Sequence, residues 1–242
     1  MVHTTMWRWL VPCAVLTGLV CASCAQPDRG RSPERVEAAA SVPVERAIAT
    51  APRVVFLGDS LTAGYGLEKE ASVPSLIQKR LHDAGYPHEV VNAGVSGDTS
   101  AGGLSRLDWS LDGDVEILVI ELGANDGLRG LPVANLKQNL AEIITRAKAR
   151  DISVLLTGME APPNFGPAYT SEFRAVYRQL ARDYDVAFVP FYLAGVAGIA
   201  NLNIGDGIHP NAEGSRIVEK TVWAALEPLL VERAAGRKNP GR

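Results

Sequence analysis

The sequence predicts an α/β protein in which a flavodoxin-like parallel sheet of five strands is covered by helices on both faces. Short runs of β-favouring apolar residues alternate with longer stretches whose apolar residues recur at helical spacing, the pattern of βαβ units. The apolar runs stop abruptly in loops rich in Gly, Asp, Asn and Ser, as strands do at the edge of such a sheet. The stretch that carries the pattern, residues 53–231, has the length of one ordinary domain with room for a proper core, and it contains no internal repeat.

Ahead of that domain the composition changes twice. Residues 1–25 place His3 and Arg8 before an apolar run from Trp9 to Ala22, too short and too thinly flanked for a membrane span and suited to a signal peptide. All three cysteines, Cys13, Cys21 and Cys24, lie in this leader, so the mature chain can form no internal disulfide and its stability must come from packing. Ser23 and Ala25 satisfy the small-residue rule for cleavage, whereas Cys21-Ala22-Ser23-Cys24 resembles a bacterial lipoprotein box with Cys24 as the lipidated residue. The expectation is an exported protein, periplasmic or anchored to a membrane as a lipoprotein, and otherwise secreted. Residues 26–52 hold no aromatic side chain and are dominated by Pro, Ala, Arg and Glu. They can bury too little to offset the entropy of ordering and read as a disordered linker.

Within the domain the candidate strands are Val54–Leu57, Glu89–Asn92, Ile117–Leu122, Ser153–Thr157 and Ala187–Pro190. Val73, Leu76, Ile77 and Leu81 form the first helical stripe, and Val133, Leu136, Leu140, Ile143, Ile144 and Ala147 the next, behind Pro132. Phe173, Val176, Tyr177, Leu180 and Tyr184 mark another helix, and Ile217, Thr221, Val222, Leu226 and Leu229 the last. Residues 232–242 read as a polar tail. A net charge of −3, with no basic stripe or aromatic-basic alternation, gives no reason to expect a nucleic-acid partner.

In open α/β sheets ligands bind at the strand ends, and four loops there carry chemistry. The first strand ends in Gly58-Asp59-Ser60, where a serine hydroxyl would face the crevice and its own N–H could point at a developing anion. The second leads into Asn92-Ala93-Gly94-Val95-Ser96-Gly97-Asp98, whose glycines allow a tight turn with exposed N–H groups. The third leads into Gly123-Ala124-Asn125-Asp126-Gly127, and near the end stands Asp206-Gly207-Ile208-His209. Turn chemistry explains each loop singly. Together they supply a nucleophile, two kinds of oxyanion donor, a histidine and a carboxylate. Beyond the leader only His82, His88 and His209 remain, and the first two read as solvated surface residues. His209 alone can reach the strand ends as general base, with Asp206 bending back through Gly207 to fix its tautomer.

These blocks resemble the GDSL, or SGNH, hydrolases, and within them the periplasmic acyl-CoA thioesterase I, lysophospholipase L1 and arylesterase subfamily. Gly58-Asp59-Ser60-Leu61, Gly94, Gly123-Ala124-Asn125-Asp126 and Asp206 with His209 match the family's blocks. Ser96-Gly97-Asp98-Thr99-Ser100 and Gly123-Ala124-Asn125-Asp126-Gly127-Leu128-Arg129-Gly130 match the subfamily's longer signatures. The resemblance implies a three-layer α/β/α fold, Ser60 as nucleophile, His209 as base and Asp206 as its orienter. It also implies an oxyanion hole from the Ser60 and Gly94 N–H groups and the Asn125 amide, with no cofactor and no metal. The Gly-x-Ser-x-Gly elbow of the α/β-hydrolase fold is absent.

The expected reaction is hydrolysis of acyl or aryl esters, lysophospholipids or acyl thioesters through an acyl-enzyme, by a monomer acting on small molecules. By the same resemblance Leu128, Arg129, Pro162, Pro163, Phe165, Tyr169, Leu202 and Ile204 should line the acyl groove. The alternatives are a carbohydrate O-acetyl esterase of the same fold, a non-catalytic binding domain, and a metal-dependent phosphoesterase using Asp59, Asp126, Asp206 and His209. One usable histidine and no cysteine in the domain make a poor zinc site.

Overall fold

Val54, Val55, Phe56 and Leu57 are fully buried because helices cover both faces of the strand they form. In the computed structural model, which describes residues 51–238, the chain runs through β1 (Arg53–Gly58), α1 (Ser60–Ala63), α2 (Val73–Asp83), β2 (Glu89–Gly94), α3 (Ser100–Ser105), α4 (Leu107–Ser110) and β3 (Val115–Glu121). It continues through α5 (Ala124–Leu128), α6 (Val133–Ala149), β4 (Ser153–Thr157), α7 (Gly166–Asp183), β5 (Ala187–Val189) and α8 (Ala212–Lys238). The expected signal peptide, the lipoprotein box with Cys24, nearly all of the linker and residues 239–242 lie outside the described residues.

The five strands are all parallel, in the order β2-β1-β3-β4-β5. Helices α2 and α8 pack together on one face, and α3, α6 and α7 form a row on the other. The result is a three-layer α/β/α fold. Parallel order brings every strand's carboxyl end to one edge, and the register aligns Gly58 with both Gly94 and Glu121 there. Gly94 admits the close approach of α1, since a Cβ on it would lie 2.3 Å from the Ala63 backbone nitrogen.

Two helices exceed their sequence-derived spans. Helix α7 begins at Gly166, with Pro167 in its first turn, so Tyr169 is helical and does not belong to a loop. Helix α8 runs to Lys238, well into the segment read as a polar tail, and Arg233 and Arg237 pair there with Asp151 and Glu116. His88 is likewise no surface residue. It is 3% exposed, with Nε2 2.9 Å from Glu116 Oε2, and burial holds its imidazole below the ordinary histidine range. His82 remains solvent-facing on α2.

Candidate active site

Ser60 stands at the first position of α1, directly after the buried turn that closes β1. Asp59 caps this short helix through Oδ1, which accepts from the Leu61 N–H at 3.0 Å. The N–H of Ser60, at N1, has no intrahelical acceptor. From the other end of the domain, Asp206-Gly207-Ile208-His209 folds back on itself. Gly207 adopts φ +71°, and Asp206 Oδ1 accepts from the Ile208 and His209 N–H groups at 2.9 and 3.1 Å. The Ile204 N–H donates to the His209 carbonyl at 2.8 Å and ties down the base of the loop.

This loop delivers His209 to the serine. Ser60 Oγ lies 2.8 Å from His209 Nε2, and Asp206 Oδ2 lies 2.6 Å from His209 Nδ1. The hydrogen bonds from the Ile208 and His209 N–H groups, and then the imidazole itself, pull the Asp206 carboxyl down to about 2. It therefore stays an acceptor at any pH near neutrality. An acceptor at Nδ1 selects the tautomer whose Nε2 is free to take the serine proton.

Beneath the serine sits a buried acidic pair. Asp59 and Glu121 are both 0% exposed. Glu121 Oε2 accepts from Thr62 Oγ1 at 2.8 Å and faces the Asp59 N–H at 3.4 Å. Burial raises the Asp59 carboxyl to about 6. Burial, and then the charge of Asp59, raises Glu121 well above the usual carboxylate range.

The other two expected oxyanion donors stand at the same edge and are engaged by protein acceptors. The Gly94 N–H donates to Asn92 Oδ1 at 2.9 Å. Asn125 Nδ2 donates to the Asp98 carbonyl at 2.9 Å and to Asp59 Oδ2 at 3.2 Å.

A cavity of about 510 Å³ opens beside the serine–histidine pair, walled mainly by apolar side chains of the strand-end loops. Of the residues expected to hold substrate, Leu128, Pro162 and Pro163 line it. Arg129, Phe165, Tyr169, Leu202 and Ile204 do not. Arg129 is engaged in bridging two loops, with Nη2 2.8 Å from the Gly97 carbonyl. Phe165 packs on Tyr169 with ring centroids 5.3 Å apart, and the Tyr169 hydroxyl donates to the Leu131 carbonyl at 2.8 Å. Leu202 is buried in the core, and a Cβ on Gly66 would lie 2.8 Å from Ile204 Cδ1. Met159, Phe191, Leu193 and Ile208 line the cavity instead. The first three follow the ends of β4 and β5, a position readable from the sequence as strand-end.

A larger trough of about 610 Å³ is walled by Glu116, Lys148, Asp151 and Arg233, residues at the opposite ends of the strands, and neither Ser60 nor His209 borders it. The acidic residues do not converge as a metal centre would require. Both Asp126 oxygens are taken by the Ser100 N–H and hydroxyl, and no cluster of three metal-capable side chains occurs among the described residues.

A serine hydroxyl in hydrogen-bond contact with an imidazole, a carboxylate fixing that imidazole and an apolar cavity alongside are the parts acyl transfer needs. Residues 56–217 match the model of the GDSL-like lipase/acylhydrolase family. Esterase TesA of Pseudomonas aeruginosa is 46% identical over 183 residues, covering 75% of this chain and 91% of its own length. The thioesterase 1/protease 1/lysophospholipase L1 of Escherichia coli K12 is 36% identical over 183 residues, covering 75% and 86%. The crystal structure of the psychrotrophic esterase EstA from a Pseudoalteromonas species, inhibited by monoethylphosphonate, superposes with a TM-score of 0.70 at 32% identity, over 74% of this chain and 98% of that one.

Proposed function

The chain belongs to the GDSL-like lipase/acylhydrolase family and is an ester hydrolase, and we propose that it works as a serine esterase and thioesterase through Ser60, His209 and Asp206. The observation that carries this reading is the unbroken relay at the cavity mouth, 2.8 Å from Ser60 Oγ to His209 Nε2 and 2.6 Å from Nδ1 to Asp206. As Ser60 Oγ attacks the carbonyl carbon, its proton passes to Nε2, and the carbonyl π electrons move onto oxygen. The C–O or C–S bond to the leaving group then breaks as Nε2 returns the proton to the departing atom. Water, activated by the same nitrogen, cleaves the acyl-enzyme and restores the serine.

The oxyanion is received by the Ser60 and Gly94 N–H groups and the Asn125 amide. A full negative charge is a stronger acceptor than the neutral Asn92 and Asp98 oxygens that hold the Gly94 N–H and one Asn125 N–H, so it competes for these two as it forms, while the other Asn125 N–H stays on Asp59 Oδ2. The cavity takes the acyl group. Leu128, Met159, Phe191, Leu193 and Ile208 on its walls favour a chain longer than acetyl, each buried methylene contributing about 0.8 kcal/mol. That favours acyl and aryl esters, lysophospholipids and acyl thioesters over carbohydrate acetates.

The test is a series of p-nitrophenyl esters from acetate upward, with acyl-CoA and lysophospholipid alongside. kcat/KM should climb with chain length until the cavity is filled, and Met159→Ala should displace the optimum. An optimum at acetate, indifferent to Met159→Ala, would move the assignment to a carbohydrate deacetylase. For the leader, the reading is export as a monomeric domain tethered through lipidated Cys24, supported by the apolar run and the Cys21–Cys24 box. Cys24→Ser should release the protein from membranes, and a parent already soluble outside the cytoplasm would refute the tether.

A further inference from the structure

Two spaces meet at the serine. Besides the acyl cavity, a small crevice is walled by Leu61, Gly64, Tyr65, Leu67, Val73 and Tyr192, and Ser60, Leu61 and His209 border both. On the crevice side stands an exposed aromatic side chain that the reaction described above does not use. Tyr65 is 54% exposed, and its ring centroid lies 4.8 Å from that of His209 at a tilt of 43°. Its placement is fixed by the turn that carries the nucleophile, because the Tyr65 N–H donates to the Ser60 carbonyl at 3.0 Å. Gly64 and Gly66, at φ +80° and +75°, shape the backbone on either side of it.

A tyrosine left half in water against a general base is exposed apolar surface at the point where a substrate must pass. The acyl group and the leaving group diverge from the same carbonyl carbon, and the leaving atom must lie against His209 Nε2 to receive its proton. With the acyl group in the large cavity, and the crevice of about 10 Å³ holding no more than a water, the leaving group must lie over the crevice mouth, where Tyr65 is exposed beside His209.

We propose that Tyr65 is a specificity-determining residue for the leaving group, an aromatic shelf beside His209 on which the ring of an aryl ester rests during acylation. This rests on the assignment of Ser60 and His209 given above. The chemistry selected is a planar aromatic alcohol of the phenol class. An offset or tilted aromatic pair contributes enough for about a tenfold preference over a leaving group that has no ring.

The two half-reactions make the proposal separable from a merely supporting role. The phenol is gone before deacylation, whereas His209 serves both steps. If Tyr65 acts on the leaving group, its loss is felt in acylation and in proportion to the ring. If it only steadies His209, every substrate and both steps suffer together.

The experiment compares phenyl butyrate with methyl butyrate, which share an acyl group, in the parent, Tyr65→Ala and Tyr65→Phe. In Tyr65→Ala the loss of kcat/KM should be about tenfold greater for the phenyl than for the methyl ester. Tyr65→Phe should restore the parent ratio, and single-turnover decay of the butyryl-enzyme should not share the loss. Equal losses on both esters with slowed deacylation, or an unchanged phenyl-to-methyl ratio, would overturn the proposal. Thermal unfolding of Tyr65→Ala shows whether it is folded. Should it unfold, Tyr65→Leu, which keeps apolar bulk without a ring, is expected to show the same selective loss. Labelling of parent Ser60 by a fluorophosphonate is a separate control: without it the underlying assignment fails, and with it a flat ratio counts against Tyr65 alone.

Discussion

In the proposed reaction Asn125 serves both the structure and the oxyanion with one amide group. Its Nδ2 spans the Asp98 carbonyl and Asp59 Oδ2, so it ties the loop after β3 to the loop after β2 and to the Asp59-Ser60 turn. Asn125→Ala should therefore lower kcat by roughly 10²–10³, and the lost hydrogen bonds should cost about 1 kcal/mol in urea unfolding. A stability loss with kcat intact would leave the residue as a turn element only. Glu121 and Asp59 make a prediction about pH. Both carboxyls are raised in the fold, Asp59 from 3.8 to about 6, so the folded state holds protons that the unfolded chain has released. Stability attributable to the pair is present below the unfolded pKa values and is lost as pH rises through the folded ones. The parent's unfolding free energy should fall between about pH 4 and pH 7, and Glu121→Gln, whose carboxamide oxygen can still accept from Thr62, should flatten that decline. An unchanged slope in the variant would mean that Glu121 is ionised throughout. The histidine count pointed to His209 because it counted candidates. His88 reads as a surface residue in the sequence because its partner Glu116 stands 28 residues away.

At the level of elements, α1, which carries Ser60, and the second strand are fitted backbone to backbone. A Cβ at Gly94 would meet Ala63 N at 2.3 Å and Ala63 Cα at 2.8 Å, atoms that cannot rotate away. Gly94→Ala should destabilise the fold by about 1–3 kcal/mol and lower activity further by displacing α1, as urea midpoints and kcat/KM would show. Full stability in that variant would mean that α1 is looser than this packing. The strands are legible because each centres on an apolar run, only Val90-Val91 in β2, and the long helices because their stripes repeat over several turns. Helices α1, α3, α4 and α5 are four to six residues long, too short for a periodic signal. The start of α7 at Gly166 precedes the apolar stripe that begins at Phe173, so periodicity does not reveal it, and the place of Phe165 and Tyr169 in the groove rests on the family resemblance alone. The end of α8 was hidden because Arg233 and Arg237 look solvated until Asp151 and Glu116 are brought to them.

Across the whole molecule, residues from four distant parts of the chain meet because a parallel sheet gathers its strand ends on one edge. That is why Ser60, Gly94, Asn125, Asp206 and His209 could be grouped from sequence, whereas the cavity wall could be named only in part. Loops are placed by their tertiary contacts, and the lining from Met159, Phe191, Leu193 and Ile208 comes from how the ends of β4, β5 and the histidine loop close together. In the proposed mechanism one covalent intermediate forms on Ser60 with His209 as its base. Acid-quenching the full chain during turnover of a p-nitrophenyl ester and mapping the adduct by peptide mass spectrometry tests it directly. An acyl mass is expected on the peptide containing Ser60, formed at the rate of the p-nitrophenol burst and absent in Ser60→Ala. An adduct on another residue, or hydrolysis undiminished in Ser60→Ala, would contradict it.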